Sequence, residues 1–287
     1  GGGGGRRLPG RSRLAAGTLL IVAGVIYPLT PWSPVNIIVT LFWFVGIVNA
    51  LNLLDNMDGV TGSIALSIIL GILAVMFLET GAFNPDILIL LGVTGGIAGF
   101  LVFNWHPSRM FMGDTGSQFL GAFLAAISML YIWNFKNPTE EYFQVQQFLI
   151  PLLLFIMPII DTTTVFIRRI GRGQSPFVGG RDHTTHHLAY LGVKDGYVAA
   201  IFAGLSLFSI LIVCAVYFGM QDWSPWYNVF VISYFVVLFT AFQYLYEKGK
   251  ALKPQEAKQQ KTTVTISEDD ATPQPSESIV SKEKIHS

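Results

Sequence analysis

The sequence predicts an all-α integral membrane protein, a bundle of about eight transmembrane helices whose chemistry-bearing loops share the cytoplasmic face. Three observations carry that prediction. Hydrophobic residues make up 52% of the 287 positions and charged residues only 13%, too apolar for an ordinary soluble domain. Eight apolar stretches approach or reach the roughly 20 residues that a helix needs to cross a bilayer core about 30 Å thick. Of the 18 Lys and Arg residues, 17 fall in one of the two alternating sets of loops that eight crossings create.

The stretches run over residues 14–29, 35–54, 59–79, 86–104, 116–135, 148–167, 197–219 and 225–246. The first is short and follows the basic RRLPGRSR, as a signal peptide would. Pro28 and Pro31 come after it and no A-x-A-like cleavage site does, so a membrane helix is the better reading. One set of loops comprises RRLPGRSR, DNMDG, NWHPSRMFMGDTGS, the segment from Arg168 to Gly196, and the C-terminal tail. The other holds PLTPWSP, ETGAFNPD, WNFKNPTEEYFQ and GMQDWSP, with Lys136 its single cation. The first set is therefore cytoplasmic. The chain divides into a basic segment 1–13, a polytopic domain 14–246, and a tail 247–287 that is polar, mixed in charge and expected to be disordered. Cys214, alone of its type, lies in an apolar span and reads as a small buried hydrophobe. Net charge is zero and no basic patch is interleaved with aromatics, so the expected partner is the lipid bilayer and not a nucleic acid.

All the polar stretches of note belong to the cytoplasmic set, so three loops distant in sequence are expected to build one site. In NALNLLDNMDG, the i, i+3 spacing puts Asn49, Asn52 and Asp55 on one helix face. A carboxylate at that depth costs several kcal/mol unless it is paired, hydrated or metal-bound. A helix that simply ends at Asp55, with Asp58-Gly59 as an ordinary turn, explains Asp58 but not two asparagines in an apolar span.

In FNWHPSRMFMGDTGS, Pro107 and Gly113 break the helix after Asn104, and Asp114 sits among small residues just ahead of the next span. Thr115 and Ser117 are candidates to cap that span, and its N-terminus favours phosphate. A hard carboxylate in such a turn suits Mg²⁺; the plainer alternative makes Asp114 a helix cap only. The third stretch, DTTTVFIRRIGRGQSPFVGGRDHTTHHLAYLG, carries Arg168, Arg169, Arg172 and Arg181 with His183, His186 and His187. The histidines have a zinc-like spacing, but no Cys or Glu completes a site and the arginines repel a cation. Arginines and histidines together suit a diphosphate, while positive-inside anchoring accounts for Arg168 and Arg172. Asp161 reads as structural, paired with an arginine two turns on.

Together, NALNLLDNMDG, FNWHPSRMFMGDTGS and RRIGRGQSPFVGGRDHTTHHL resemble, in order and spacing, three signature regions of the polyprenyl-phosphate N-acetylhexosamine-1-phosphate transferases. The resemblance covers roughly residues 8 to 246. It implies transfer of a sugar 1-phosphate from a UDP-N-acetylhexosamine to undecaprenyl phosphate at the inner membrane, with release of UMP, as the first membrane step of cell-envelope polysaccharide synthesis. It also implies Mg²⁺, or Mn²⁺ in its place, on Asp114. By the same resemblance Asn52 and Asp55 lie beside the reacting phosphates, Asp58 near the ribose, and Asn104 and Phe111 at the uracil. His183, His186 and His187 match the motif that contacts the diphosphate; Asn49 and Arg181 complete the expected substrate-binding set. H-x-x-H-H-L resembles the UDP-GlcNAc enzymes more than the muramoyl-pentapeptide branch. A homodimer is compatible with this reading.

Two departures from the family pattern stand out. Asn56 replaces the first glycine of D-G-x-D-G, and no Asp-Asp pair precedes the tail's Asp269-Asp270. RRLPGRSRL resembles what normally follows that pair, so about three helices are expected upstream, where GGGGG stands. A fragment that binds the UDP-sugar without turnover is therefore the second reading. A secondary transporter is the third, but it predicts an inverted repeat and midplane polar residues that are not found.

Overall fold

The computed structural model describes residues 10–26, 32–80, 85–133, 146–175, 182–218 and 224–269, with side chains of the last helix through Leu252. Among them there are helices and turns and no strand. The helices are α1 (Gly10–Val22), α2 (Ser33–Leu54), α3 (Val60–Thr80), α4 (Pro85–Asn104), α5 (Gly113–Ser128, prolonged by a π turn through Trp133), α6 (Gln146–Leu154), α7 (Ile156–Ile170), α8 (Thr184–Tyr190), α9 (Asp195–Phe218) and α10 (Pro225–Asp269). Six are long and apolar enough to cross a membrane, and the α6–α7 pair would make a seventh.

Three expectations are corrected here. With 13 residues, α1 rises about 20 Å and is too short for a full span, although residues 27–29 of the predicted stretch lie outside the described ones. The stretch 148–167 is two helices meeting at an 83° bend. Proline explains the break: Pro158 has no N–H to offer the carbonyl of Leu154 and its ring crowds that carbonyl, so the chain turns at Phe155. Finally, α10 continues beyond Glu247 to Asp269, because EKGKALKPQEAKQQK is rich in good helix formers despite its polarity; residues 270–287 lie outside the described ones.

Helix α3 is the centre of the bundle, packed against α9 and α4, while α2 packs on α5 and α7, and α10 on α8. Leu51, Leu54, Ile64, Ile68, Ile72, Phe155 and Phe202 are fully buried between them. One close approach positions the site. A Cβ at Gly121 of α5 would stand 2.9 Å from the Val48 Cα of α2, so only glycine lets these backbones come together. That contact sets the end of α2 beside the start of α5, where the first two polar stretches meet.

Candidate active site

Helix α2 ends at Leu54 because the chain turns through Asp55 (φ −75°, ψ 58°) into DNMDG. Asn49 is half-buried one turn before Asn52. The Asn52 amide donates to Asp114 Oδ1 at 3.3 Å and Ser117 Oγ at 2.9 Å, and its oxygen accepts from Arg13 at 3.4 Å. Burial first, and then the charge of Asp114, push the Asp55 carboxyl up from 3.8 to about 6, with the nearby Thr61 hydroxyl lowering it in part. Two acids thus share one rim of the bundle, and what the protein itself brings to Asp114 is an amide. Thr115 and Ser117 do not cap α5, contrary to expectation: Met112 takes the cap position and the Ser117 hydroxyl turns back to the Gly113 carbonyl.

Asp58 is held differently. One carboxylate oxygen accepts from the Ser108 hydroxyl at 2.8 Å; the other accepts from the Ser108 N–H at 3.1 Å and meets His106 Nδ1 at 3.0 Å. Desolvation would raise its pKa, but the two Ser108 bonds and His106 together lower it. Next to it, Gly59 adopts φ +73°, a left-handed geometry natural to glycine, and donates its N–H to Asn104 Oδ1 at 3.1 Å. Asn104 in turn donates to the Met110 carbonyl at 2.7 Å. Asn104 is buried and braces two loops against each other, whereas Phe111, one residue past that brace, is 75% exposed.

The histidine helix docks on the same turn. Thr185 Oγ1 donates to Asn56 Oδ1 at 2.6 Å, so the residue that departs from the family's glycine joins the first polar stretch to the third. Asp161 does not pair with an arginine; it lies buried on α7, where Oδ2 meets His183 Nδ1 at 2.7 Å and Oδ1 accepts the Thr184 N–H at 2.9 Å. The nearer partner wins because α8 begins directly over Asp161. His186 is half-buried with its ring 6.3 Å from that of His183. His187 faces away from the acids, buried against the Tyr246 ring of α10 at 3.9 Å.

The arginines are committed as well. Arg169 and Arg172 pair with Asp182 at 3.5 and 3.2 Å, and Arg168 pairs with Glu247. Arg181 lies outside the described residues.

The structure therefore brings together Asn52, Asp55 and Asp114, sets Asp58 and Asn104 beside them as loop braces, and places His183 and His186 across the Asn56–Thr185 bridge. His106, Ser108, Thr185 and Asp182 were not singled out from sequence. Asp182 and Thr185 carried a signal in their position inside the histidine motif, and His106 in its place between Asn104 and Asp114; Ser108 carried none. Among the described residues, no group of three or more His, Cys, Asp or Glu is close enough to hold a metal ion. The carboxylates of Asp55 and Asp114 nevertheless suit Mg²⁺, which takes one or two carboxylates and fills its other positions with water or phosphate.

A membrane-embedded helical bundle with an acidic rim and a histidine helix defines the class, and residues 12–132 match the glycosyl transferase family 4 profile. The chain is 34% identical over 202 residues to the probable undecaprenyl-phosphate N-acetylglucosaminyl 1-phosphate transferase of Bacillus subtilis, covering 69% of this chain and 52% of the relative. It is 34% identical over 183 residues to the phospho-N-acetylmuramoyl-pentapeptide-transferase of Thermotoga maritima, covering 60% and 52%. It is 29% identical over 170 residues to the decaprenyl-phosphate N-acetylglucosaminephosphotransferase of Mycobacterium leprae, covering 55% and 42%. The chain spans about half the length of the curated relatives it matches.

Proposed function

We propose that the protein transfers an N-acetylhexosamine 1-phosphate, with GlcNAc 1-phosphate the first choice, from a UDP-sugar to undecaprenyl phosphate, releasing UMP on the cytoplasmic side of the inner membrane. The observation that carries this reading is the cluster of Asn52, Asp55 and Asp114 at the bundle's rim, joined through Asn56 and Thr185 to the helix bearing the histidines. The names of the matched relatives support a polyprenyl-phosphate acceptor, and H-x-x-H-H-L favours GlcNAc over the muramoyl-pentapeptide.

In this reaction an oxygen of the lipid phosphate attacks the β-phosphorus of the UDP-sugar, the bond to the α–β bridging oxygen breaks, and UMP departs. Two anions must meet, so positioning and charge compensation dominate. Mg²⁺ held by Asp114, with Asp55 beside it, would supply that compensation. Asp55, at the same rim, takes the proton of the incoming lipid phosphate. Asn52 holds Asp114 in place through its amide. His186, half-buried, faces the diphosphate, with the buried His183 behind it fixed by Asp161. Asp58 and Asn104 keep the 105–112 loop, and Phe111 with it, against the acids.

The test incubates the purified chain in detergent with undecaprenyl phosphate, Mg²⁺ and either UDP-GlcNAc or UDP-MurNAc-pentapeptide. UMP release with UDP-GlcNAc that needs all three components is expected, and chelation abolishes it. Binding of UDP-GlcNAc without UMP release would reduce the site to nucleotide-sugar binding. Neither binding nor release would overturn the reading.

A further inference from the structure

The cytoplasmic end of α10 contains no residue of the three polar stretches, yet it makes the closest helix contact near the site. A Cβ at Gly249 would stand 2.5 Å from the His187 carbonyl oxygen, 2.8 Å from its Cβ and 2.9 Å from its Cα. Backbone thus lies on backbone, and Gly249 is buried there. One turn earlier the fully buried Tyr246 ring lies 3.9 Å from the ring of His187, and Arg168 sits over the Tyr246 ring, 4.9 Å from its centroid.

Arg168 is itself held from α10 twice, by the ion pair with Glu247 and by a 3.0 Å bond to Gln243 Oε1. The Gln243 amide donates to Thr164 of α7 at 2.6 Å. Residues 243–249 therefore grip both α7, which carries Asp161, and α8, whose start carries His183.

We propose that Gln243–Gly249 of α10 is a positioning clamp for the histidine helix, with Tyr246 and Gly249 as positioning residues that act through α8 and touch no substrate. The inference rests on the reading of α8 as a diphosphate-facing helix. His187 is the member of the motif given over to this contact, which leaves His183 and His186 for the site. A methyl group at 249 needs a carbon–oxygen separation nearer 3.5 Å, so α8 and α10 must part by about 1 Å. Displacement on that scale, away from the chemistry, lowers a rate by up to about 10²-fold.

The test compares wild type with Gly249→Ala, Tyr246→Phe and Tyr246→Ala in the full chain, by UMP release and by amide hydrogen exchange of residues 184–190. Gly249→Ala and Tyr246→Ala are expected to lower kcat at least tenfold while changing KM for UDP-GlcNAc less than threefold. Tyr246→Phe keeps the ring and should stay within twofold of wild type. On a His186→Ala background the effect of Gly249→Ala should largely vanish, since both act through α8. Exchange at 184–190 should accelerate at least tenfold with residues 33–54 unchanged. Unaltered exchange together with unaltered kcat overturns the clamp. If wild type releases no UMP, the functional reading fails, and the exchange comparison alone decides whether α10 positions α8. Should Gly249→Ala not fold, the Tyr246 pair carries the same test.

Discussion

Converting Asn56 to the family's glycine should damage this protein, although sequence alone would call it a reversion to the expected residue. The Asn56 oxygen takes the Thr185 hydroxyl at 2.6 Å while its amide donates to the Leu53 carbonyl at 3.0 Å, and Thr185 is fully buried. A neutral hydrogen bond contributes about 1 kcal/mol net, and leaving its partner without one in a buried site adds about 1 kcal/mol more. Asn56→Gly or Asn56→Ala should therefore cost about 2 kcal/mol, on the order of a 30-fold change in an equilibrium constant. Thr185→Val, which keeps the shape and deletes the donor, should cost a similar amount. The assay is a double-mutant cycle on equilibrium unfolding in mixed micelles, with UMP release measured in parallel. A coupling energy of about 3 kcal/mol between positions 56 and 185 is expected, because the double variant loses the bond but orphans no partner and should cost only about 1 kcal/mol. Additivity within about 0.3 kcal/mol would show that the bridge contributes nothing and that the two loops are held together elsewhere.

Asp55 has a folded pKa near 6 against 3.8, so the folded state binds the extra proton and stability falls as pH rises from about 4 to about 6. The shift corresponds to at most about 3 kcal/mol before solvent screening. Without divalent cation, Asp55→Asn should raise the melting midpoint at pH 7.5, and with Mg²⁺ present it should abolish UMP release; an unchanged midpoint would contradict the shift. Asp58 has the opposite sign: its lowered pKa gives stability that is present above about pH 4 and lost as pH falls through the folded value. Ser108→Ala, which removes the 2.8 Å bond, should make the chain melt earlier at pH 6 by an amount worth about 1–1.5 kcal/mol, and the deficit should shrink toward pH 3. Asp161→Ala strips His183 and the Thr184 N–H of their buried partner and should cost about 3–5 kcal/mol. His183→Ala should restore part of that loss in the double variant, and calorimetry that finds simple additivity would refute the pairing.

Much of the fold was legible because its determinants are local in sequence. Seven of the eight apolar stretches became single helices, and Pro107, Gly113 and Gly59 ended or turned the chain where their geometry requires it. The bend at Phe155 was hidden because apolar content outweighs two prolines when only hydrophobic length is counted. The α10 extension was misjudged since polarity argues against a core but not against a helix. At the site, the convergence of three loops followed from their shared charge bias, and the clustering of Asn52 with Asp114 from their separate helix ends. The pairings were not legible. Asp161 choosing His183 over Arg168, and His187 turning to Tyr246, depend on where α8 lands, which is tertiary information no local pattern holds.

The acids of this protein sort by what the chain itself offers them. Asp58 receives Ser108 and His106, Asp161 receives His183 and Thr184, and Asp182 receives Arg169 and Arg172. These three are satisfied, and their work is to hold loops and the histidine helix in register. Asp55 and Asp114 are placed otherwise: burial and the charge of Asp114 push the Asp55 carboxyl up, and Asp114 takes a 3.3 Å contact from the Asn52 amide, whose oxygen Arg13 approaches at 3.4 Å. An amide at position 55 would remove the burial and charge cost that pushes its carboxyl up, so a carboxylate there is kept at the expense of stability. Under the proposed function a cation with phosphate ligands would supply compensating charge there, and would tie the stability lost at Asp55 to the reaction proposed for it.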